Sequence, residues 1–242
     1  MYKLCWSGLA DSKYYEYIAK YCLPSWKKLP GDKFVIHDSD KINIKGIECI
    51  NWNNISNKNS KFLQMTVKTK PLNFWRKMQS QVWAARNLTN YDFLILLDTD
   101  VEVLEFKKEE FEIFLEQFKN SNHVWATGRS QSRLHDSGFI ILNLHHPKLK
   151  EVIDYYENIW ESGSIFNLEK PYDGHAVESM FDLYPSYKIM NTDYGKGLHV
   201  YDLGFVHYGS KIPKAERKKW SSSGYEFVKN YTLNIVVKTY KN

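Results

Sequence analysis

The sequence predicts a layered α/β domain in which a mostly parallel central sheet is flanked by helices. Three observations predict it. Short strand-like apolar runs alternate along the chain with longer segments whose apolar residues recur at helical intervals, the arrangement that builds β-α-β units. The run Tyr91-Asp92-Phe93-Leu94-Ile95-Leu96-Leu97 is too continuously apolar to alternate, so it suits a central strand covered on both faces. With 242 residues, 43% of them hydrophobic, the chain can bury one sizeable core.

Residues 2–6 read as a first strand that stops at Ser7-Gly8. From Ser12 to Leu29 the residues Tyr14, Tyr17, Ile18 and Tyr21 fall at helical spacing, and Pro24 is expected to bend or shorten that helix. After Pro30-Gly31, Lys33 to His37 reads as a second strand closed by the acidic turn Asp38-Ser39-Asp40. A short strand near 47–50 and a polar loop over 51–61 lead to a helix over 71–88. Beyond the central strand, helices are expected over 107–120, 148–160 and 172–183, the last opened by Asp173-Gly174. Strands are expected over 124–127, 138–142, 187–190, 203–207 and 234–238. No internal repeat or domain boundary is visible.

Composition excludes several classes. The longest uninterrupted apolar run, Phe93 to Leu97, falls far short of the roughly 20 residues that a membrane-spanning helix needs. Met1-Tyr2-Lys3-Leu4-Cys5-Trp6-Ser7-Gly8 lacks the apolar stretch and small-residue cleavage site of a secretory signal, so a cytoplasmic protein is expected. Cys5, Cys22 and Cys49 form no C-x-x-C pair and leave an odd thiol, which supports neither a disulfide framework nor a zinc ribbon. The formal charge of +5 is concentrated at one end, because residues 211–242 hold eight lysines and arginines against Glu216 and Glu226. A basic extension over 212–242 on a near-neutral domain over 1–211 suits contact with phosphates, on an anionic membrane surface or a nucleic acid. The plainer reading is a solvated lysine-rich end.

The chemistry is expected at Asp98-Thr99-Asp100, directly after the apolar run. In an extended backbone residues i and i+2 point to the same side, so both carboxylates can face one ion or one diphosphate. Ligands of open α/β sheets gather at the carboxyl ends of strands, where this pair lies. Two adjacent carboxylates repel each other, and a divalent cation relieves the repulsion. The alternative is that the pair merely caps a turn. Phe205-Val206-His207-Tyr208-Gly209-Ser210-Lys211 is a second strand running into a glycine-containing turn. An imidazole nitrogen joined to carboxylate oxygens suits Mn2+ (or Mg2+), Gly209 permits close backbone approach to a phosphate, and Lys211 supplies a point charge for a leaving diphosphate.

Together these two segments resemble the GT-A glycosyltransferases, most of all the glycogenin-like and bacterial lipooligosaccharide galactosyltransferase group. That group carries a D-x-D after a central strand and a late H-x-x-G-x-x-K motif, matched here by Asp98-Thr99-Asp100 and, two residues shorter, by His207 to Lys211. Asp136-Ser137-Gly138-Phe139-Ile140-Ile141-Leu142-Asn143 is similar to the group's N-[AS]-G-x-x-x-x-N segment, with aspartate replacing the first asparagine. Tyr172 to Phe181 is similar to its D-Q-x-x-x-N region, without the glutamine. The resemblance implies a single GT-A (Rossmann-like) domain, a nucleotide diphosphate sugar as donor, and a cation held by Asp98, Asp100 and His207. It further implies base and ribose contacts at Ser7, Gly8 and Asp38, and donor contacts at Thr99 and Gly209.

On that reading Lys211 and Arg76 add fixed positive charge to the leaving group. Asp173 and Asp136 are the candidates beside the reacting sugar carbon, ahead of Glu178. Each has a structural alternative: Arg76 as a surface helix residue, Asp173 as a helix cap, Asp136 as a turn residue. Trp52, Trp75, Trp160 and Trp220 are candidate sugar platforms among aromatics that are mostly core. A saccharide acceptor ranks ahead of a hydroxymethylated base in DNA, which some phage enzymes of this general type use. A nucleotidyl or phosphoryl transferase and a DNA-binding module are the rivals. The first wants a third acid or a G-x-x-x-x-G-K-[ST] loop, and the loop is absent.

Overall fold

The computed structural model describes residues 2–39, 42–67, 70–129, 135–181, 187–188 and 203–208. In chain order the strands are β1 (Leu4–Ala10), β2 (Asp32–His37), β3 (Glu48–Asn51), β4 (Phe93–Leu97), β5 (Val101–Val103), β6 (Trp125–Arg129), β7 (His135–Asn143), β8 (Tyr187–Lys188) and β9 (Phe205–His207). The helices are α1 (Ser12–Tyr14), α2 (Lys20–Cys22), α3 (Lys61–Gln64), α4 (Leu72–Asn87), α5 (Lys108–Asn120), α6 (Leu149–Glu161) and α7 (Asp173–Phe181).

Seven strands form one sheet in the order β3-β2-β1-β4-β7-β6-β8. β3, β2, β1 and β4 run parallel, and β6 pairs parallel with β8; β7 lies antiparallel to both β4 and β6. The sheet is therefore mostly parallel, with one strand reversed just beside its centre.

β4 shows why the apolar run folds as it does. All five of its residues are buried, and they divide between two cores. Phe93, Ile95 and Leu97 pack with Trp6, Val35, Phe111, Leu115 and Phe118 on the α5 side. Leu94 and Leu96 pack with Met78, Val82, Ile153 and Trp160 on the side of α4 and α6. A strand with a core on each face can carry no polar residue until it ends, and it ends at Asp98.

Several elements differ from expectation for local reasons. β1 runs through Ser7-Gly8 to Ala10 instead of stopping there. Gly8 is required inside the strand, since a Cβ there would lie 2.6 Å from the Leu97 carbonyl oxygen and 2.9 Å from the Trp26 ring. The helix expected over 12–29 is a composite. Asp11 caps it by accepting from the Tyr14 backbone N–H at 2.7 Å, and it then widens to a π stretch over Tyr15–Ala19. It tightens to a 3-10 stretch over Leu23–Lys28, with Pro24 in the first turn, where its missing N–H costs little. Trp52, Trp75 and Trp160 are 7%, 3% and 0% exposed, so these three candidate platforms are core residues. Trp220, the strand expected over 234–238 and the basic extension over 212–242 lie outside the described residues. Among the described residues no helix is long and apolar enough to cross a membrane, and the three cysteines are free thiols.

Candidate metal centre

The turn after β4 is fixed from three directions. The Asp98 backbone N–H donates to the Gly138 carbonyl of β7 at 2.9 Å, and the Val101 N–H closes the turn onto the Asp98 carbonyl at 3.0 Å. The Thr99 hydroxyl donates to the Leu9 carbonyl at 2.8 Å, which ties the turn to β1. Thr99 is thus 1% exposed and serves the turn with its side chain.

His207 is brought to this turn by a two-stranded ribbon that the sequence did not reveal. β5 pairs antiparallel with β9, with Val101 opposite His207 and Val103 opposite Phe205. The ribbon is locked at both ends. The Tyr208 N–H donates to the Asp100 carbonyl at 3.2 Å and the Tyr208 hydroxyl to Glu102 Oε2 at 2.5 Å. At the other end the Leu104 N–H donates to the Gly204 carbonyl at 2.9 Å. On its outer edge β5 is held by the 3-10 stretch: Trp26 Nε1 donates to the Val101 carbonyl at 3.1 Å, and Ser25 Oγ accepts the Val103 N–H at 2.8 Å.

The result is a compact acid–imidazole group. His207 Nε2 lies 3.2 Å from Asp100 Oδ1 and 3.6 Å from Asp98 Oδ2, and one donor atom from each of the three residues falls within 4.8 Å of the others. Asp100 is 1% exposed, yet its Oδ1 receives no hydrogen bond of good geometry. A buried carboxylate oxygen in that condition is costly unless a cation completes it. Two carboxylates and one imidazole are also a donor set that a divalent cation accepts, so the residues present fit such an ion. Among the described residues this is the one such group.

The electrostatics separate the acids. Burial pushes the Asp98 carboxyl up to about 6, Lys77 opposing this and Asp100 adding to it. Burial pushes Asp100 the same way, but the adjacent His207 imidazole, the Tyr14 hydroxyl that hydrogen-bonds it and Lys77 overcome that and hold it below the usual carboxylate range. Burial also acts on Asp173, and there Lys77, Ser137 and the Gly174 N–H prevail and keep it low.

A signed pH dependence follows for the metal-free protein. Asp98 has a folded pKa above its unfolded value, so this group favours folding more as pH falls through about 6, and its ionised form opposes folding above that. Asp100 and Asp173 have depressed values and lose their contribution as pH falls through the ordinary carboxylate range and below. Asp98→Asn is therefore expected to raise the melting temperature at pH 7.5, by an advantage that shrinks as pH falls below about 6 and is gone only near the ordinary value of 3.8. An unchanged difference across this range, read by thermal denaturation without metal, would count against the assignment.

Lys77 is the charged residue beside the acids that sequence reasoning missed. Arg76 was expected to supply positive charge, but its guanidinium turns away to Asp38 Oδ2 at 3.5 Å and sits 6.0 Å from the centroid of the Trp52 ring. Lys77, one residue on, reaches inward and places Nζ 2.6 Å from Asp98 Oδ1 and 2.7 Å from Asp173 Oδ2. A signal was present. Asn73, Lys77, Ser80 and Gln81 recur at i, i+4, i+7 and i+8, a polar stripe along a helix whose Met78, Val82 and Ala85 are buried in the core.

That stripe forms one wall of a cavity of about 290 Å3, whose other walls include Ser7, Gly8, Tyr14, Asp98 and Thr99. Ser7 and Gly8 thus reach the cavity from within β1 and not from a loop after it. Asp38 sits at the end of β2, where its Oδ1 accepts the Ser12 N–H at 2.6 Å. Phe74, 38% exposed, lines the cavity and packs on Tyr172 at 5.7 Å between centroids. A larger cavity of about 430 Å3 lies at the opposite end of β1 and β4, beside Lys3, Asp32 and Phe111, away from the acids. Asp173 opens α7 and is 5% exposed. Asp136 lies in β7 opposite Gly128, beside a register shift, and its side chain is outside the described ones. Gly209 and Lys211 also lie outside the described residues.

The fold is shared with solved glycosyltransferases. A glycosyltransferase involved in glycosylation of the major capsid of the virus PBCV-1 superposes with a TM-score of 0.54 at 15% identity, over 90% of this chain and 98% of that one. Mouse xyloside xylosyltransferase 1 gives 0.53 at 11% identity, over 88% and 99%. The bifunctional glycosyltransferase WbbM gives 0.50 at 9% identity, over 87% of this chain and 46% of that one. The architecture is thus a GT-A-like, Rossmann-related α/β fold. No protein-family model and no curated protein sequence matches the chain.

Proposed function

We propose that this chain is a metal-dependent glycosyltransferase that moves a hexose from a nucleotide diphosphate sugar, a UDP-sugar in the first instance, to a hydroxyl of a saccharide acceptor. The observation that carries the reading is the meeting of Asp98, Asp100 and His207 at the carboxyl end of the central strand, beside a cavity, in a fold shared with glycosyltransferases.

The chemistry calls for this arrangement. Breaking the bond between a sugar and a diphosphate builds negative charge on the leaving group and positive, oxocarbenium-like character on the sugar. Asp98, Asp100 and His207 would hold the cation. When bound it supplies Lewis-acid neutralisation of the diphosphate. Ser7, Gly8 and Asp38 are assigned to the nucleoside, with Thr99 fixing the turn that carries both aspartates. Gly209 and Lys211 follow β9 closely in the chain and are assigned to the phosphates, and Arg76 to holding Asp38 in place. Asp173 and Asp136 are assigned to the sugar side, where a carboxylate stabilises the developing positive charge or receives the acceptor proton. The partly exposed Phe74, packed on Tyr172, gives the cavity mouth an apolar face of the kind that sugar rings cover.

The test is a panel of nucleotide sugars, UDP-glucose and UDP-galactose included, incubated with the protein with and without Mn2+. Expected are release of the nucleoside diphosphate with at least one donor and a melting temperature raised by Mn2+ and UDP together. Pyrophosphate release from nucleoside triphosphates, with no nucleotide sugar consumed, would replace this reading with nucleotidyl transfer.

A further inference from the structure

Three acids, one lysine and one imidazole meet at the end of β4, and their charges do not balance evenly. Asp98 divides its two oxygens. Oδ2 faces His207 at 3.6 Å, within the group that fits a divalent ion, whereas Oδ1 takes Lys77 Nζ at 2.6 Å. The same ammonium takes Asp173 Oδ2 at 2.7 Å. Two carboxylate oxygens from two separate elements thus converge on one point, and that point is filled by a side chain from a third. Asp98 is shared between the two positions, as a bridging carboxylate is shared in a two-metal site.

We infer that Lys77 Nζ occupies a second cation position, between Asp98 Oδ1 and Asp173 Oδ2, and so restricts this centre to one exchangeable metal ion. The inference rests on the proposed metal site and adds to it the number of ions held. Its basis is charge as well as geometry. Asp98, Asp100 and Asp173 bring three negative charges and Lys77 returns one, leaving a balance that one divalent ion cancels when His207 is neutral. Asp173 and Asp100 are buried, 5% and 1% exposed, and the side chains of Lys77 and Asp98 are half-buried at 16% and 26%. Burial makes the balance matter, since an unpaired carboxylate there is strongly unfavourable. Lys77 is a positioning residue in this account. It anchors α7 to the end of β4 through Asp173, and its charge, unlike a metal ion, cannot depart with a nucleoside diphosphate.

Removal of the ammonium with creation of space should uncover the position. Mn2+ binding measured by electron paramagnetic resonance and calorimetry, without nucleotide, is expected to show one ion per wild-type chain and two per Lys77→Ala chain. Lys77→Met removes the charge but keeps the volume, and Lys77→Arg keeps both; each is expected to hold one ion. Lys77→Ala should also melt well below wild type without metal and recover most of the difference in Mn2+, whereas the double variant Lys77→Ala, Asp173→Asn should bind a single ion. Where Lys77→Ala folds only with metal present, its stoichiometry is read after refolding in Mn2+ and removal of excess. Two ions on wild type, or one on Lys77→Ala, overturns the inference while leaving the metal site standing. No Mn2+ on any variant overturns both.

Discussion

Asp100→Asn is expected to reduce sugar transfer on the order of 10^2- to 10^3-fold at saturating donor, and to weaken Mn2+ binding in parallel, with little change in the fold. Asparagine matches aspartate in shape, so the ribbon contact from the Tyr208 N–H to the residue 100 carbonyl is preserved. What is lost is a full negative charge in a place where burial forbids water from replacing it. Asp100 Oδ1 is the buried oxygen without a well-placed hydrogen bond, so its occupancy should depend on the cation more than that of Asp98, which Lys77 already satisfies on one oxygen. The measurement is a paired determination of transfer rate and Mn2+ affinity. Activity within tenfold of wild type would remove Asp100 from the centre.

The second large effect is expected at Gly204, three residues before His207. Its φ is +81°, and a Cβ there would fall 1.5 Å from the Glu105 carbonyl oxygen, a backbone atom that cannot swing aside. Gly204 also accepts the Leu104 N–H that closes the open end of the β5–β9 ribbon. Gly204→Ala is therefore expected to cost about 3 kcal/mol or more. It should detach β9, and with it His207, before the main sheet is affected. Gly46 is the control: its φ is +80°, but nothing lies within 4 Å of the added carbon. Gly46→Ala should cost only about 1 kcal/mol and leave metal binding intact. Equal losses of Mn2+ affinity in the two variants would contradict this account.

The parts of the molecule that were legible in the sequence are those governed by local pattern. β4 announced itself because burial on two faces leaves a continuous apolar run, and the acids after it marked the strand's carboxyl end. The helix at 72–87 was visible from its spacing. The parts that were not legible depend on what meets them in space. β5 is three residues, Val101-Glu102-Val103, too short to show a period, and it exists because β9 and the 3-10 stretch hold its two edges. Gly8 looked like a turn residue, when the Leu97 carbonyl and the Trp26 ring leave no room for any side chain within the strand. Arg76 and Lys77 are adjacent bases on one helix, and about 100° of helical rotation alone decides that the second faces the acids. Tyr14 was read as a spacing marker in a helix, yet its hydroxyl bonds Asp100.

The imidazole arrives at the acids on a strand that pairs with a segment more than a hundred residues earlier; the Tyr208–Glu102 hydrogen bond alone spans 106 positions. A chain emerging from the ribosome will therefore carry β1, β2, β3 and β4, and both aspartates, long before the imidazole is made. Until then the aspartates have Lys77 as their counter-charge, carried by the helix made just before β4. On the proposed reading metal capture is a late event in the life of the molecule, and a nascent chain stopped short of residue 207 would lack one of the three groups that would hold the ion.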